Sequence, residues 1–567
     1  MLGSCGMRPI AVLLVAGLIA LPAVPQEKLV ESIEVRVVNV DVVVTDRAGN
    51  PVSGLTKDDF QLFENGKPQT ITNIYEVRPT TEGETLNVAG ALEPTAAQSA
   101  PPPPQEMRSR RIVLFVDNSS LPVFERTKVL KALDKYIDKE MRPGDEMTLV
   151  TWNPGLRIVT PFTSNRDDLR AAIKTMSERA NGGALDLISQ QDRIKKECND
   201  YIEQARERPP MLTWAQAFDM CKGGVNAFAD QMTHNAKNVL EGLRLTSTTL
   251  AGVDGKKVMV IAGAHLPERP GLELNMWAYS AFQPFIKNLN PGQAMADTSH
   301  NLMTFSIDKF AHQANADGVT VYVIDAADSR DFTSAEQATS TDIGEQFAAF
   351  TNTAQAYQTI ARVTGGVLVN SNNFGSAFTT IAKDLGYYYS LGYKPGDDTK
   401  NVKDRTLVVK TKNPAYRVRS RQSYTPKSGE EQINDRVVAN IYHGSVKSEW
   451  PIGVATGAPE KEGDRFRIPV HISIPSKTVT LLPQEGQLVG GFDVYIAVGT
   501  DGGAMSKVSK SAQPIKIPTN AEQSLRSKPM TYDMSIVVRP GESTLSVAVV
   551  DEISSTSGFA RTKIVAR

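Results

Sequence analysis

Residues 112–116, "IVLFV", form an unbroken apolar run that ends on Asp117, Asn118, Ser119 and Ser120. A strand with one wet face alternates apolar and polar residues, whereas an unbroken run belongs to a strand covered on both faces, as in a parallel sheet flanked by helices. Ligands collect at the carboxyl ends of such strands, which puts Asp117, Ser119 and Ser120 where chemistry is expected. The next segment, "FERTKVLKALDKYIDKEM", sets Val129, Leu130, Leu133 and Ile137 on one helical face. "EMTLVTW" and "LRIVTPF" read as strands joined by "NPG", and "NRDDLRAAIKTM" as a helix with Asn165 as its cap. "KKVMVIAG", "VTVYVIDA" and "GGVLVN" add three strands, separated by helical stretches that include residues 353–363 and 376–385. Residues 110–385 are therefore predicted to be a doubly wound α/β domain. Two segments exceed its needs: residues 188–250, largely helical, and residues 265–301.

The flanks are β-rich. Residues 27–78 hold the strand-like "VRVVNVDVVV" and the turn pair Asn65-Gly66, and read as a small β module. Residues 79–109, with a proline run, read as a linker. After the α/β segment come a β extension over residues 386–426 and alternating strands over residues 430–567. In "RFRIPVHISIP", Phe466, Ile468, Val470, Ile472 and Ile474 share one face. The last segment is predicted to be a β-sandwich of the immunoglobulin or fibronectin kind.

With 567 residues the chain has length for three or four domains at about 150 residues each. Its 62 basic and 63 acidic residues include no basic block, which argues against a nucleic-acid partner. Residues 1–25 have the one-Arg, apolar, small-residue order of a signal peptide, with cleavage near residues 23–25; retention as a membrane anchor is the alternative. No later segment has the apolar length of a membrane span, so the mature chain is expected in the periplasm, at the cell surface or outside the cell. Cys5 falls within the leader, leaving Cys198 and Cys221. An even count in an exported chain favours a disulfide between them, against two buried thiols.

The order of strand, Asp-x-Ser, amphipathic helix, two strands, helix, Gly-Gly loop and strand resembles a von Willebrand factor type A domain, the integrin I-domain fold. Together with "VDVVVTDRAGNPVSGLTKDDFQLFENGKPQTI" and "LGYYYSLGYKP", it resembles the VWFA-related domain family described from Acidobacteria, to about residue 424. The resemblance implies a Mg²⁺ site in which Asp-x-Ser-x-Ser, a loop Thr and an Asp after a later strand surround an ion that takes a ligand carboxylate. Asp117 and Ser119 match that pattern. Leu121, Ala184 and Gly263 stand where Ser, Thr and Asp belong, so three of the five positions lack an oxygen. Mg²⁺ needs six hard oxygens in near-octahedral array, so the site is expected to be vestigial, with no metal and no cofactor. Asp325 and Asp328 follow the next strand, and if that strand lies two places away they are about 9–10 Å off. Asp117 and Ser119 then read as a cap for the following turn and helix.

A hydrolase would need Ser119 beside His265, yet no G-x-S-x-G elbow is present. No glycine-rich turn follows the first strand to admit a nucleotide. Tyr387, Tyr389 and Tyr393 share a strand face, a pattern read as cross-strand packing ahead of a carbohydrate or peptide platform. Trp277, Tyr279, Phe282 and Phe285 crowd the insertion beside the crevice and are the candidates for protein partner recognition, packing within their own domain being the alternative. The expected function is adhesion or another protein–protein contact without catalysis. A Mg²⁺-dependent adhesion domain of unusual ligation is the alternative, and a Ser119–His265 hydrolase ranks below it.

Overall fold

A computed structural model of the chain describes residues 37–78, 109–153, 155–178, 183–264, 266–326, 340–370, 373–395, 404–444, 446–500 and 502–567, with backbone alone at 183–186, 188, 340–351 and 370. The leader, residues 79–108 of the linker, His265 and Asp328 lie outside the described residues. Four strands open the described residues: β1 (Val38–Thr45), β2 (Phe60–Glu64), β3 (Lys67–Gln69) and β4 (Ile71–Val77). Asn65 and Gly66 both take positive φ, 49° and 77°, the two-residue turn whose twist suits the β2–β3 hairpin.

The α/β segment comprises β5 (Arg110–Asp117), α1 (Val123–Lys139), β6 (Glu146–Trp152), β7 (Leu156–Thr163), α2 (Arg166–Glu178), α3 (Gly183–Arg206), α4 (Trp214–Ala251) and β8 (Lys256–Gly263). It continues with α5 (Leu272–Phe282), α6 (Gln293–Asp297), α7 (Thr304–Ala316), β9 (Val319–Asp325), α8 (Ser340–Thr364), β10 (Leu368–Asn370) and α9 (Phe374–Gly386). The sheet order is β10-β9-β8-β5-β6-β7, parallel throughout except for β7. Side chains of β5 alternate between two cores. Ile112, Leu114 and Val116 meet α1, α2 and α9, while Val113 and Phe115 meet α4, α7 and α8. This two-sided burial is why the run is unbroken.

At about 1.5 Å per residue the 38-residue α4 is about 57 Å long, roughly twice the span of the eight-residue β8 at about 3.3 Å per residue. Its last turns, from Ala236, pack on the sheet, and its first half packs with α3 and α5 in a separate core. Because α4 feeds the amino end of β8, that first half projects past the sheet's carboxyl edge as a helical arm. Cys198 of α3 and Cys221 of α4 are buried in it and joined by a disulfide, with Cα atoms 4.9 Å apart.

After α9 come β11 (Tyr388–Tyr393), β12 (Arg405–Thr411), β13 (Arg417–Ser420) and β14 (Ser423–Tyr424). The sequence reading kept residues 27–78 and 386–426 apart, but their strands interleave in two sheets, β13-β1-β11-β4 and β14-β12-β2-β3. One core of Val40, Val42, Leu62, Tyr389, Leu391 and Leu407 lies between them. Alternation identifies a strand but not its partner, and here the partners lie over 300 residues away. The α/β segment is thus an insertion in this flanking β domain.

The C-terminal region opens with a helix, α10 (Gly429–Tyr442), where alternating strands were expected. Ser428 and Glu431 form its capping box, a start signal present in the sequence. The strands are β15 (Gly453–Thr456), β16 (Glu460–Glu462), β17 (Arg465–Ile474), β18 (Leu481–Gln484), β19 (Gln487–Gly499) and β20 (Ser509–Pro518), then a short α11 (Glu522–Arg526), β21 (Met530–Val538), β22 (Gly541–Asp551) and β23 (Ser557–Ala566). Two antiparallel sheets, one centred on β17 and one on β19 and β22, share a core of Ile468, Val470, Ile472, Val494 and Val547. The outer face of the second sheet, through Tyr495, Ala548 and Phe559, covers Val437 and Ile441 of α10. The described chain is thus an α/β domain combined with β domains.

Candidate functional site

Asp117 ends β5, and the chain turns at once: Leu121 N–H donates to the Asp117 carbonyl at 3.0 Å. The Asp117 carboxylate accepts from Ser119 N–H at 3.0 Å and from the hydroxyls of Ser119 and Ser120 at 2.5 Å each. The carboxylate's bonds stay within the turn: the N-cap of α1 is Pro122, without a side-chain cap bond, so Asp117 and Ser119 hold the turn but do not cap the helix as expected. Ser120 Oγ in turn accepts from Ala264 N–H at 3.3 Å, tying the turn to the end of β8. Burial pushes the Asp117 carboxyl above its ordinary value, against the serine hydrogen bonds that draw it down.

Val116 pairs with Ala262 across β5 and β8, and Gly263 pairs with Asp325 across β8 and β9. Asp117, Gly263 and Asp325 therefore form one row across three strands, with β8 between the two acids. Over that row stands Tyr357 of α8, 1% exposed. A Cβ built on Gly263 would lie 2.6 Å from the Tyr357 hydroxyl and 3.7 Å from Asp117 Cβ. Burial first, then the charges of Asp117 and Asp325, hold the phenol well above its ordinary pKa, so it keeps its proton.

Among the described residues the donors do not fit a Mg²⁺ ion. Leu121 is buried in the core shared with α1, Gly263 has no side chain, and the space above it belongs to the Tyr357 ring. Ala184 falls in the first turn of α3, where the backbone alone is described. With His265 outside the described residues, the Ser119–His265 pairing is not described, and the Ser119 hydroxyl is committed to Asp117. Sequence reasoning missed Tyr357. The signal available was the helical period of "AYQTIARV", which identifies a buried face but not the glycine it meets.

The aromatic cluster proposed for partner recognition is a packing core. Phe282 is fully buried and Tyr279 nearly so, both in edge contact with Phe218 of α4. Tyr279 Oη donates to Asp297 at 2.7 Å, Phe285 stacks on Trp214 at 4.3 Å, and the half-buried Trp277 lies under Lys195. The projecting arm has no sheet to cover it, so α5 supplies the apolar layer that seals α3 and α4. Tyr389 and Tyr393 are likewise buried, in the flanking β domain, with Tyr387 packed beside them.

Large exposed apolar side chains are found elsewhere. Phe124 in the first turn of α1 is 62% exposed, and Phe305 in the first turn of α7 is 80% exposed, with Leu302 and Met295 near it in the chain. Helices that cross between parallel strands begin at the carboxyl edge of the sheet, so Phe124 and Phe305 flank the Asp117 crevice from opposite faces.

No family model matches the chain, and no curated protein matches it. Among solved structures it is similar to an aerotolerance-related membrane protein from Bacteroides fragilis NCTC 9343 with multiple mutations to serines, at 10% identity over 49% of this chain and 98% of that one, TM-score 0.22. It is also similar to the conserved hypothetical protein BatB from Bacteroides thetaiotaomicron, at 10% identity over 49% and 97%, TM-score 0.21. A protein from Archaeoglobus fulgidus matches at 9% identity over 21% and 97%, TM-score 0.13. At these scores the likeness carries no argument about function. Among the described residues no helix is long and apolar enough to cross a membrane.

Proposed function

We propose that this chain is an exported, non-enzymatic protein-binding protein whose α/β domain is a von Willebrand factor A-type domain that has lost its metal, set between β domains, the last of them of the immunoglobulin or fibronectin kind. The observation that carries this reading is the Tyr357 phenol over Gly263: the crevice where a metal and a ligand carboxylate would meet is filled by the domain's own side chain. Recognition then falls to the rim, where Phe124 and Phe305 offer exposed aromatic surface of the kind enriched in interface hot spots. The buried Cys198–Cys221 disulfide supports an oxidising compartment.

Two measurements test it. A ligand that binds only the folded state raises its melting temperature, so Mg²⁺ and Mn²⁺ are expected to leave melting of the full chain unchanged. A saturable rise lost in Asp117→Ala would establish the metal-dependent reading instead. Partner capture from the native envelope fraction is expected to fall at least tenfold in Phe305→Glu with melting unchanged; equal capture by both proteins rules out this rim.

A further inference from the structure

At the amino-terminal edge of the central sheet, opposite the Tyr357 crevice, a cleft of about 170 Å³ lies between that sheet and the flanking β domain. Strand alternation explains its polar wall. Val40, Val42 and Val44 of β1 face the β core, so Asn39 and Asp41 face outward toward β8 and β9. Arg419 and Arg421, two residues apart, line the same side. Lys256 and Lys257, at the start of β8, line the other.

Four cations and the carboxylate of Asp41 thus share the cleft. Lys256 bridges to Asp41 at 3.0 Å and lies over the Tyr388 ring at 3.3 Å, and Arg419 bridges to Asp384 at 2.8 Å. Lys257 and Arg421 differ. Lys257 Nζ donates to the Ala251 carbonyl at 2.9 Å and Arg421 to the Asn39 carbonyl at 2.8 Å, and neither has a carboxylate within 4.0 Å among the described residues. Burial draws the Lys257 ammonium down to about 8 and lowers the Arg421 guanidinium as well. Each has unused N–H donors, since ammonium carries three and guanidinium five. Partly desolvated cations without a carboxylate gain most from an oxyanion that accepts charge-assisted hydrogen bonds. The volume restricts its size: about 170 Å³ is well short of the roughly 300 Å³ at which drug-sized ligand sites begin.

We propose that this cleft binds a small tetrahedral oxyanion of phosphate size, held by Lys257 from the α/β domain and Arg421 from the flanking β domain. The anion would join the two domains at their seam.

The test uses the full chain at pH 7, titrated with inorganic phosphate while NaCl holds ionic strength constant. The expected result is a saturable rise in melting temperature and a matching heat of binding, with phosphate affinity reduced at least tenfold in Arg421→Gln and in Lys257→Met. Thr320→Glu places a carboxylate on the cleft wall and is expected to abolish the response. A rise that NaCl reproduces overturns the proposal, and so does a phosphate response retained in both charge-removing variants. Should Lys257→Met fail to fold, an undiminished response in Thr320→Glu overturns it alone.

Discussion

Tyr357 and Gly263 interlock: the phenol oxygen of one occupies the space that a Cβ on the other would enter, at 2.6 Å. Gly263→Ala is therefore expected to destabilise the chain by about 1–3 kcal/mol, the usual cost of overpacking. Tyr357→Phe removes the clashing oxygen and should recover part of that loss in the double variant. Urea unfolding of the four proteins in the cycle measures the coupling, and additive effects would show that the two residues do not meet.

Phe282 and Trp277 sit at different depths in the arm, one fully buried and the other half-buried. Phe282→Ala should cost about 3–5 kcal/mol through the cavity it leaves, and Trp277→Ala distinctly less. Denaturant melts of the two variants decide this. Equal, negligible losses would return the segment to the surface.

Reduction acts on the same arm. The disulfide joins residues 23 apart in the chain, a loop whose closure contributes about 3 kcal/mol in the chain-entropy model. Cys198→Ala with Cys221→Ala is expected to raise amide exchange in α3 and the first half of α4 while leaving β17 and β19 protected. Uniform loss of protection would contradict an independent arm core.

Arg110 and Asp145 form a buried ion pair, bonded through Nε at 2.6 Å and through a second, shorter contact. Asp145→Ala leaves a buried guanidinium without its carboxylate and should cost about 3–5 kcal/mol in equilibrium unfolding. A loss below 1 kcal/mol, the range of a surface pair, would show that water reaches Arg110.

His443 caps α10, bonds Thr249 of α4 through Nε2 at 3.1 Å and packs on Phe162 at 4.7 Å. Burial, then Arg561 and Arg111, lower its pKa from 6.5 to about 3. The neutral ring is the folded form, so its stabilisation is complete above about pH 6.5 and is lost as pH falls toward 3. The slope is at most about 1.4 kcal/mol per pH unit. In His443→Gln the pH 4 to 7 stability profile should flatten by that amount; an unchanged profile would show that protons reach the ring without opening the contact.

The parts legible in the sequence were those fixed by local periodicity. Buried runs such as residues 112–116 carried the parallel strands, and the helical face of Val129, Leu130, Leu133 and Ile137 carried α1. The turn held by Asp117 was legible too, since Asp and Ser at a turn bond the local backbone, but the helix cap expected with it is absent. Long-range pairing was not. Nothing in "VRVVNVDVVV" shows that Val40 will lie beside Leu391, and nothing in α8 shows which strand Tyr357 will cross. The arm aromatics stayed open in the sequence between partner contact and packing, because a helix leaving the sheet needs its own apolar seal, a need that appears only with the length of α4. The helix α10 was overlooked despite its capping box because alternating strands dominate the remainder of the C-terminal region.

β1 is finished by residue 45, yet its hydrogen-bonded neighbours β11 and β13 begin only at residues 388 and 417. At about 5–20 residues per second of synthesis, β1 waits roughly 20–70 s for its first partner to be made. Over that interval an edge rich in valine stands unpaired, the condition under which strands find wrong neighbours. Pairing of β1 thus waits on synthesis of the whole inserted domain, which lies between the two ends of the flanking β domain. The chain's early vulnerability lies in β1.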